Sequence, residues 1–267
     1  MHNFSRGIQA GQFANMGSSG ALPSFDHLWN SARSSLAGIL IFLILTFIAL
    51  RLSPQSLRDA ADMAATFVFA FTGGLVTAAR VGHYSLLRQV AVVLAGGFLT
   101  ANGGGTARTF ILQQPQFFWL ENPDYLLVTF AGGVIAWLMA ADIREVTESH
   151  WDMADRIALG VFAGMGAEKA GLVFMVATGD WFVTGVLLAT LTGAGGGLIR
   201  DLLLRRWPTA LFTSYGLCAA VGGALHLHMV VEGVPVAWFF STVFTTVLAC
   251  LTRKWSWRPK SRKPFIE

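Results

Sequence analysis

The composition of this chain is that of a membrane protein. Its 267 residues are 54% hydrophobic and only 13% charged, with a mean hydropathy of +0.56, which is typical of chains that cross a bilayer. No polar stretch is long enough to form a separate soluble domain. The net charge of +4 does not indicate nucleic acid as a partner, because basic residues crowd at 253–263, after the last apolar run.

Apolar runs recur along the chain at lengths near the roughly 20 residues of a membrane helix. The sequence predicts eight spans, at 36–51, 60–80, 86–105, 124–141, 156–176, 181–199, 211–231 and 235–251. The expected fold is therefore an all-α, multi-pass membrane protein.

The first span has to be distinguished from a signal sequence. Residues 1–34 are rich in Gly, Ser and Asn and are predicted to be a disordered tail. The apolar segment at 35–52 is followed by "RLSPQSL", which lacks the small-residue cleavage site of a signal peptide. An uncleaved N-terminal membrane span is therefore favoured.

The distribution of basic residues predicts the orientation in the membrane. Cytoplasmic loops carry an excess of Lys and Arg, and such clusters also favour anionic membrane lipids, so the basic tail at 252–267 is expected to be cytoplasmic. Counting spans backward places the arginine-containing loops at 200–210 and 80–88 on the same side. The loops at 177–181 and 232–235 contain acidic residues without Lys or Arg and are expected outside.

The chain contains an internal repeat. Its clearest mark is a glycine triplet followed by arginine: Gly103–Gly105 precedes Arg108, and Gly195–Gly197 precedes Arg200, with an offset of 92 residues. Upstream, 61–74 aligns with 154–167 at an offset of 93. Each offset contains three spans, an odd number, so the second copy must enter the membrane from the opposite side. The sequence predicts an inverted repeat of three plus three transmembrane helices.

The glycine triplets are expected to matter for function. Glycine destabilises a helix by about 1 kcal/mol relative to alanine, so each triplet is expected to break or kink the second helix of its repeat. Freed backbone groups at mid-membrane depth are tolerated only where they are buried in protein or line water, as in inverted-repeat transporters and channels. The alternative is that the glycines only allow helices to pack closely.

These motifs resemble a known family, the prokaryotic trimeric intracellular cation (TRIC) channels, also catalogued as UPF0126 with a glycine-transporter domain. The resemblance covers about 59–251 and rests on "FAFTGG", "FAGMGAEKAG", "GGGTAR", "GGGLIRD" and "FFWLENPDYL". It implies a seven-helix protomer, with two inverted triplets and a final helix, in a homotrimer of the bacterial inner membrane. It also implies an ion pore in each protomer, kinked at the glycine triplets.

The chain departs from the family pattern in two places. The first copy has Arg108-Thr109 where the family usually has Arg-Asp, as the second copy does at Arg200-Asp201. The extra N-terminal span has no counterpart in the family. The expected units are a tail 1–34, an extra span 35–52, a first repeat 59–145, a second repeat 151–232, a final helix 235–251 and a basic tail 252–267.

Several ionisable residues fall inside predicted spans and are candidates for pore or gating charges. They are Arg108, Glu168, Lys169, Arg200 and Asp201. Glu168 and Lys169 are neighbours on a helix and point about 100° apart, so at least one of them needs a partner on another helix. The alternative for the arginines is that they extend to a membrane boundary.

Neither a metal nor a cofactor is expected. His226 and His228 are two residues apart on a predicted helix and face different sides, whereas a shared metal favours a spacing of four. The two cysteines, Cys218 and Cys250, show no metal-ligand spacing. The sequence shows no recognisable arrangement of a nucleophile with a general base, so the chain is not predicted to be an enzyme.

Two functions fit these features. A passive channel for small monovalent cations, K⁺ or Na⁺, is the function that the resemblance implies. A secondary transporter of a small solute such as glycine is the alternative, because inverted repeats and interrupted helices are equally typical of transporters.

Overall fold

A computed structural model of the protein describes residues 54–81, 84–139, 148–174, 181–205 and 207–254, and their regular structure is helical. The helices are α1 (Pro54–Val81), α2 (Leu86–Ile111), α3 (Phe118–Glu121), α4 (Asp124–Met139), α5 (Glu148–Phe174), α6 (Trp181–Leu203), α7 (Thr209–Phe212), α8 (Tyr215–Val231) and α9 (Ala237–Leu251). The predicted tail at 1–34 and the extra span at 35–52 lie outside the described residues.

The longer helices have the dimensions of membrane spans. Three of them are both long and apolar enough to cross a bilayer, namely α2, α6 and the part of α1 from Leu57 to Val81. Three shorter apolar helices, α4, α8 and α9, accompany them. Helix α5 has 27 residues, a length of about 40 Å at 1.5 Å per residue. The expected all-α membrane fold is confirmed.

The helices form two three-helix units and a final helix. Helices α1, α2 and α4 pack against one another, and α5, α6 and α8 do the same. The two units meet where α2 packs on α6 and α1 packs on α5, while α9 covers α5 and α8. The first two helices of each repeat therefore build the interface between the repeats.

Glycines make the central helix crossing possible. A Cβ atom added at Gly104 would lie 2.3 Å from the carbonyl oxygen of Leu191, and one added at Gly196 would lie 2.2 Å from that of Thr100. At Gly103 the nearest atom would be the Cα of Gly196, at 3.3 Å. The two glycine triplets therefore lie against each other. The backbones of α2 and α6 approach more closely than they could if these positions carried a side chain.

The helix boundaries differ from the sequence predictions in two respects. Helices α2 and α6 continue through their triplets, so the expected break is wrong. The glycines stay helical because the backbone of each triplet packs against the facing helix. The span predicted at 211–231 begins too early. The short helix α7 ends at Phe212 and α8 begins at Tyr215, since Thr213 has extended backbone and separates them.

Candidate functional site in the interface between the repeats

A charged pocket lies beside the crossing of α2 and α6. It contains about 330 Å³ of empty space, counting its open mouth. The lining residues come from α1, α2, α3, α5 and α6 and are Asp62, Ala101, Gly105, Arg108, Phe118, Phe162, Met165, Lys169 and Thr192. One carboxylate and two cations thus share a small space enclosed by apolar side chains.

The two repeat arginines reach across the interface in the same way. Arg108 donates from Nη1 to the hydroxyl of Thr192, and Arg200 donates from Nη1 to the hydroxyl of Thr100, each over 3.4 Å. Both hydroxyls donate to the carbonyl four residues earlier, over 2.7 Å, which leaves their lone pairs free to accept. The inverted repeat is therefore visible at the level of single hydrogen bonds.

An aspartate and a tyrosine form a second pair of equivalent contacts. The Tyr125 hydroxyl on α4 donates to the Asp62 carboxylate on α1. Its counterpart, the Tyr215 hydroxyl on α8, donates to Asp155 on α5 over 2.7 Å. Each pair joins the first and third helices of one repeat.

The two halves differ at the residue that follows the arginine. Arg200 donates from Nε and Nη2 to Asp201 Oδ1, over 3.0 and 2.6 Å, and the Asp201 side chain is fully buried. Arg108 is followed by Thr109 and makes no salt bridge within the described part of the chain. Arg108 and Thr109 are nonetheless buried, with 4% and 1% of their surface exposed.

Glu168 and Lys169 point to different surroundings, as their helical spacing requires. Glu168 forms a salt bridge with Arg58 of α1 and lies 3.6 Å from Nε2 of His226. Lys169 lines the pocket together with Arg108 and has no salt bridge among the residues that the structure describes. The partner that Glu168 needs is thus supplied by the first helix of the other repeat.

The remaining candidates from the sequence pack within the helix bundle. His226 is buried, with its Nδ1 3.1 Å from the Ser241 hydroxyl. Cys218 is buried 3.4 Å from the hydroxyl of Thr252, and Cys250 lies 3.5 Å from the sulfur of Met153.

The structure brings the glycine triplets and both arginines to one crossing, and it adds residues that the sequence analysis missed. These are Asp62 and Asp155, Tyr125 and Tyr215, Thr100 and Thr192, and Arg58. Most had a usable signal, because they recur near the repeat offset: Asp62 and Asp155 are 93 residues apart, Thr100 and Thr192 are 92 apart, and Tyr125 and Tyr215 are 90 apart. Arg58 had none, since its partner lies on a helix of the other repeat.

Comparison with known proteins agrees with this architecture. A family model described as "Glycine transporter" matches the chain twice, at residues 59–141 and 152–232. The two matches cover the two three-helix units and support their common origin.

A curated relative and two solved structures are similar to most of the chain. The UPF0126 inner membrane protein YadS of Escherichia coli K12 is 32% identical over 62% of this chain and 75% of its own. A TRIC cation channel matches with a TM-score of 0.65 and 25% identity, covering 77% of this chain and 98% of its own.

A TRIC trimeric intracellular cation channel orthologue from Rhodobacter sphaeroides matches with a TM-score of 0.62 and 25% identity, over 73% of this chain and 96% of its own. The resemblance inferred from the motifs is thereby confirmed. The chain belongs to the glycine-transporter-domain family of membrane proteins, UPF0126, and has the fold of the TRIC channels.

Proposed function

We propose that the protein is a passive channel for small monovalent cations, K⁺ or Na⁺. The observation that carries this proposal is the cluster of buried polar side chains between the repeats. It includes Asp62 in the charged pocket and the hydroxyls of Thr100 and Thr192. Carboxylates attract cations, and oxygen atoms replace part of their hydration shell. The similar solved structures are those of cation channels, which supports the same function.

The pore of this proposal runs through each protomer of a homotrimer. We propose that it follows α1, α2, α5 and α6, the helices that build the interface between the repeats. We propose that α2 and α6 bend at Gly103–Gly105 and Gly195–Gly197, which widens the path beside the crossing. A similar solved structure is described as trimeric, and the exposed apolar side chains of α4, such as Leu127 and Leu138, suit contact with lipids or neighbouring protomers.

The orientation in the bacterial inner membrane is part of the proposal, with the C-terminus cytoplasmic. We expect a cysteine introduced at the exposed Glu232 to react with an impermeant maleimide added to intact cells, in a background lacking Cys218 and Cys250. A cysteine at the exposed Arg205 is expected to react only after the membrane is opened. The opposite labelling pattern would invert the topology.

Lys169 is expected to limit cation flux without being needed for assembly. A positive charge about 6 Å from a passing cation is worth on the order of 3 kcal/mol at an effective dielectric constant near 20. Lys169→Met removes this charge and keeps the apolar stem, so we expect K⁺ flux into proteoliposomes to rise by about tenfold or more. Normal trimer assembly by size-exclusion chromatography with unchanged flux would show that Lys169 is not at the pore.

Secondary transport of a small zwitterion such as glycine is the second candidate function. The pocket offers Asp62 to an ammonium group and Arg108 with Lys169 to a carboxylate, and the matching family model carries the description "Glycine transporter". A carrier moves one solute per conformational cycle, whereas a channel passes ions continuously.

The proposed function is tested by loading proteoliposomes with K⁺ and following its efflux after dilution. We expect rapid efflux down the gradient that does not require glycine on either side. Efflux no faster than in protein-free liposomes, together with saturable glycine uptake, would favour the transporter instead.

A further inference from the structure

The first repeat contains two buried polar atoms without a partner where the second repeat has a hydrogen bond. In the second repeat, Arg200 Nε donates to Asp201 Oδ1 over 3.0 Å. The equivalent atoms of the first repeat are Arg108 Nε and the Thr109 hydroxyl oxygen, and neither has a hydrogen-bond partner among the described residues. Thr109 thus stands where the second repeat has the acceptor Asp201, while the arginine is present in both repeats.

Both groups can donate a hydrogen bond, so both need an acceptor. The Nε–H of arginine can only donate, and the threonine hydroxyl can donate as well. Leaving such donors buried and unpaired is costly, and for a charged group more so. An anion can accept from donors of both kinds, whereas a cation would satisfy neither.

The charge of the surroundings distinguishes an anion from a water molecule. The pocket that Arg108 lines also contains Lys169, so two cations face the single carboxylate of Asp62, which already accepts from Tyr125. In the second repeat Asp201 neutralises Arg200. One further carboxylate within electrostatic reach of Lys169, that of Glu121, is exposed to solvent. The pocket therefore carries an excess positive charge that a water molecule would leave in place.

We propose that a small monovalent anion, of the size of chloride or formate, binds between Arg108 and Thr109. It accepts hydrogen bonds from Arg108 Nε and the Thr109 hydroxyl and takes the place that the Asp201 carboxylate holds in the second repeat. If the proposed cation channel is correct, the bound anion also lowers the barrier that Arg108 presents to a passing cation. Binding itself does not depend on that function.

The walls of the pocket that Arg108 lines favour a small ion. Phe118 lies so close to α2 that a Cβ atom added at Gly105 would come within 2.6 Å of its ring, and Phe162 and Met165 close other sides. A bulky anion such as gluconate is not expected to enter. The phosphate of an anionic lipid shares the charge but carries two substituents, and the experiment separates it from a free ion.

The test measures thermal unfolding of the purified, delipidated protein in detergent at constant K⁺ and ionic strength. Replacing gluconate by chloride at ten times the dissociation constant is expected to raise the unfolding temperature by about 3–6 °C. Thr109→Asp, which copies the second repeat, and Arg108→Met are both expected to lose this rise. Arg88→Met, which removes an exposed arginine from the same helix, is expected to keep it.

Each outcome bears on the proposal. An equal unfolding temperature in chloride and gluconate would overturn it, and so would an undiminished rise in Arg108→Met. If Thr109→Asp does not fold, bromide-soaked crystals of the unaltered protein decide, since anomalous density is expected at Arg108 Nε and its absence contradicts the site. A rise produced by phosphatidylglycerol but not by chloride would assign the site to a lipid phosphate and refute the small ion.

The measurement also separates this site from the proposed channel. An anion-dependent rise in a protein that does not conduct K⁺ would retain the site and reject the channel. Conduction of K⁺ without an anion-dependent rise in the unfolding temperature would retain the channel and reject the anion site.

Discussion

Replacing Gly196 by alanine is expected to lower the unfolding temperature of the purified protein by roughly 4–10 °C, because overpacking of this kind costs about 1–3 kcal/mol or more. The added methyl group would lie 2.2 Å from the carbonyl oxygen of Thr100 and 2.6 Å from that of Leu99. Both atoms belong to the backbone of α2, so relief requires the helices to separate. Any separation also pulls the arginines away from their threonine partners.

Gly197 is the matched control for this substitution. It follows Gly196 directly, yet a Cβ atom there would meet only the Arg200 side chain, at 3.9 Å. Alanine favours the helix by about 1 kcal/mol over glycine, so Gly197→Ala is expected to be neutral or stabilising. If the two variants unfold at the same temperature, α2 and α6 do not cross at this glycine.

Arg200→Met is expected to destabilise the protein by about 3–5 kcal/mol, the usual cost of breaking a buried ion pair on one side. The substitution removes two hydrogen bonds to Asp201, whose side chain is completely buried. Denaturant unfolding in gluconate buffer measures the loss. The double variant Arg200→Met with Asp201→Asn is expected to recover part of it, because the carboxylate charge is removed as well.

The equivalent arginine of the first repeat provides the control for Arg200→Met. Arg108→Met removes an equally buried arginine that has no salt bridge within the described residues, so in gluconate buffer we expect little loss or a gain in stability. Equal losses in Arg108→Met and Arg200→Met would contradict the difference between the two halves. That difference is also the basis of the proposed anion site.

The repeat and its consequences could be predicted from sequence because identical residues recur at a fixed offset. The triplets at Gly103 and Gly195, each followed by an arginine, predicted the internal repeat. The count of three spans per offset predicted the inversion. Composition and spacing were sufficient for these features, since they depend only on helix length and on which residues lack a side chain.

The contacts within the site could not be predicted in the same way. Tyr125 and Tyr215 are 90 residues apart rather than 92, because the segments before the third helices differ in length, and this obscures their equivalence. The salt bridge of Arg58 with Glu168 joins different repeats and leaves no periodic signal. The expected helix break was wrong because helix propensity alone ignores the packing that α6 provides for the glycines of α2.

Planar-bilayer recording of the purified protein shows whether each protomer contains a cation pore. We expect discrete current steps in a K⁺ gradient, with a reversal potential close to that of K⁺ and a unitary rate beyond that of any carrier. Membranes that contain the protein but show no current steps, while the same preparation accumulates glycine in proteoliposomes, would contradict the cation pore.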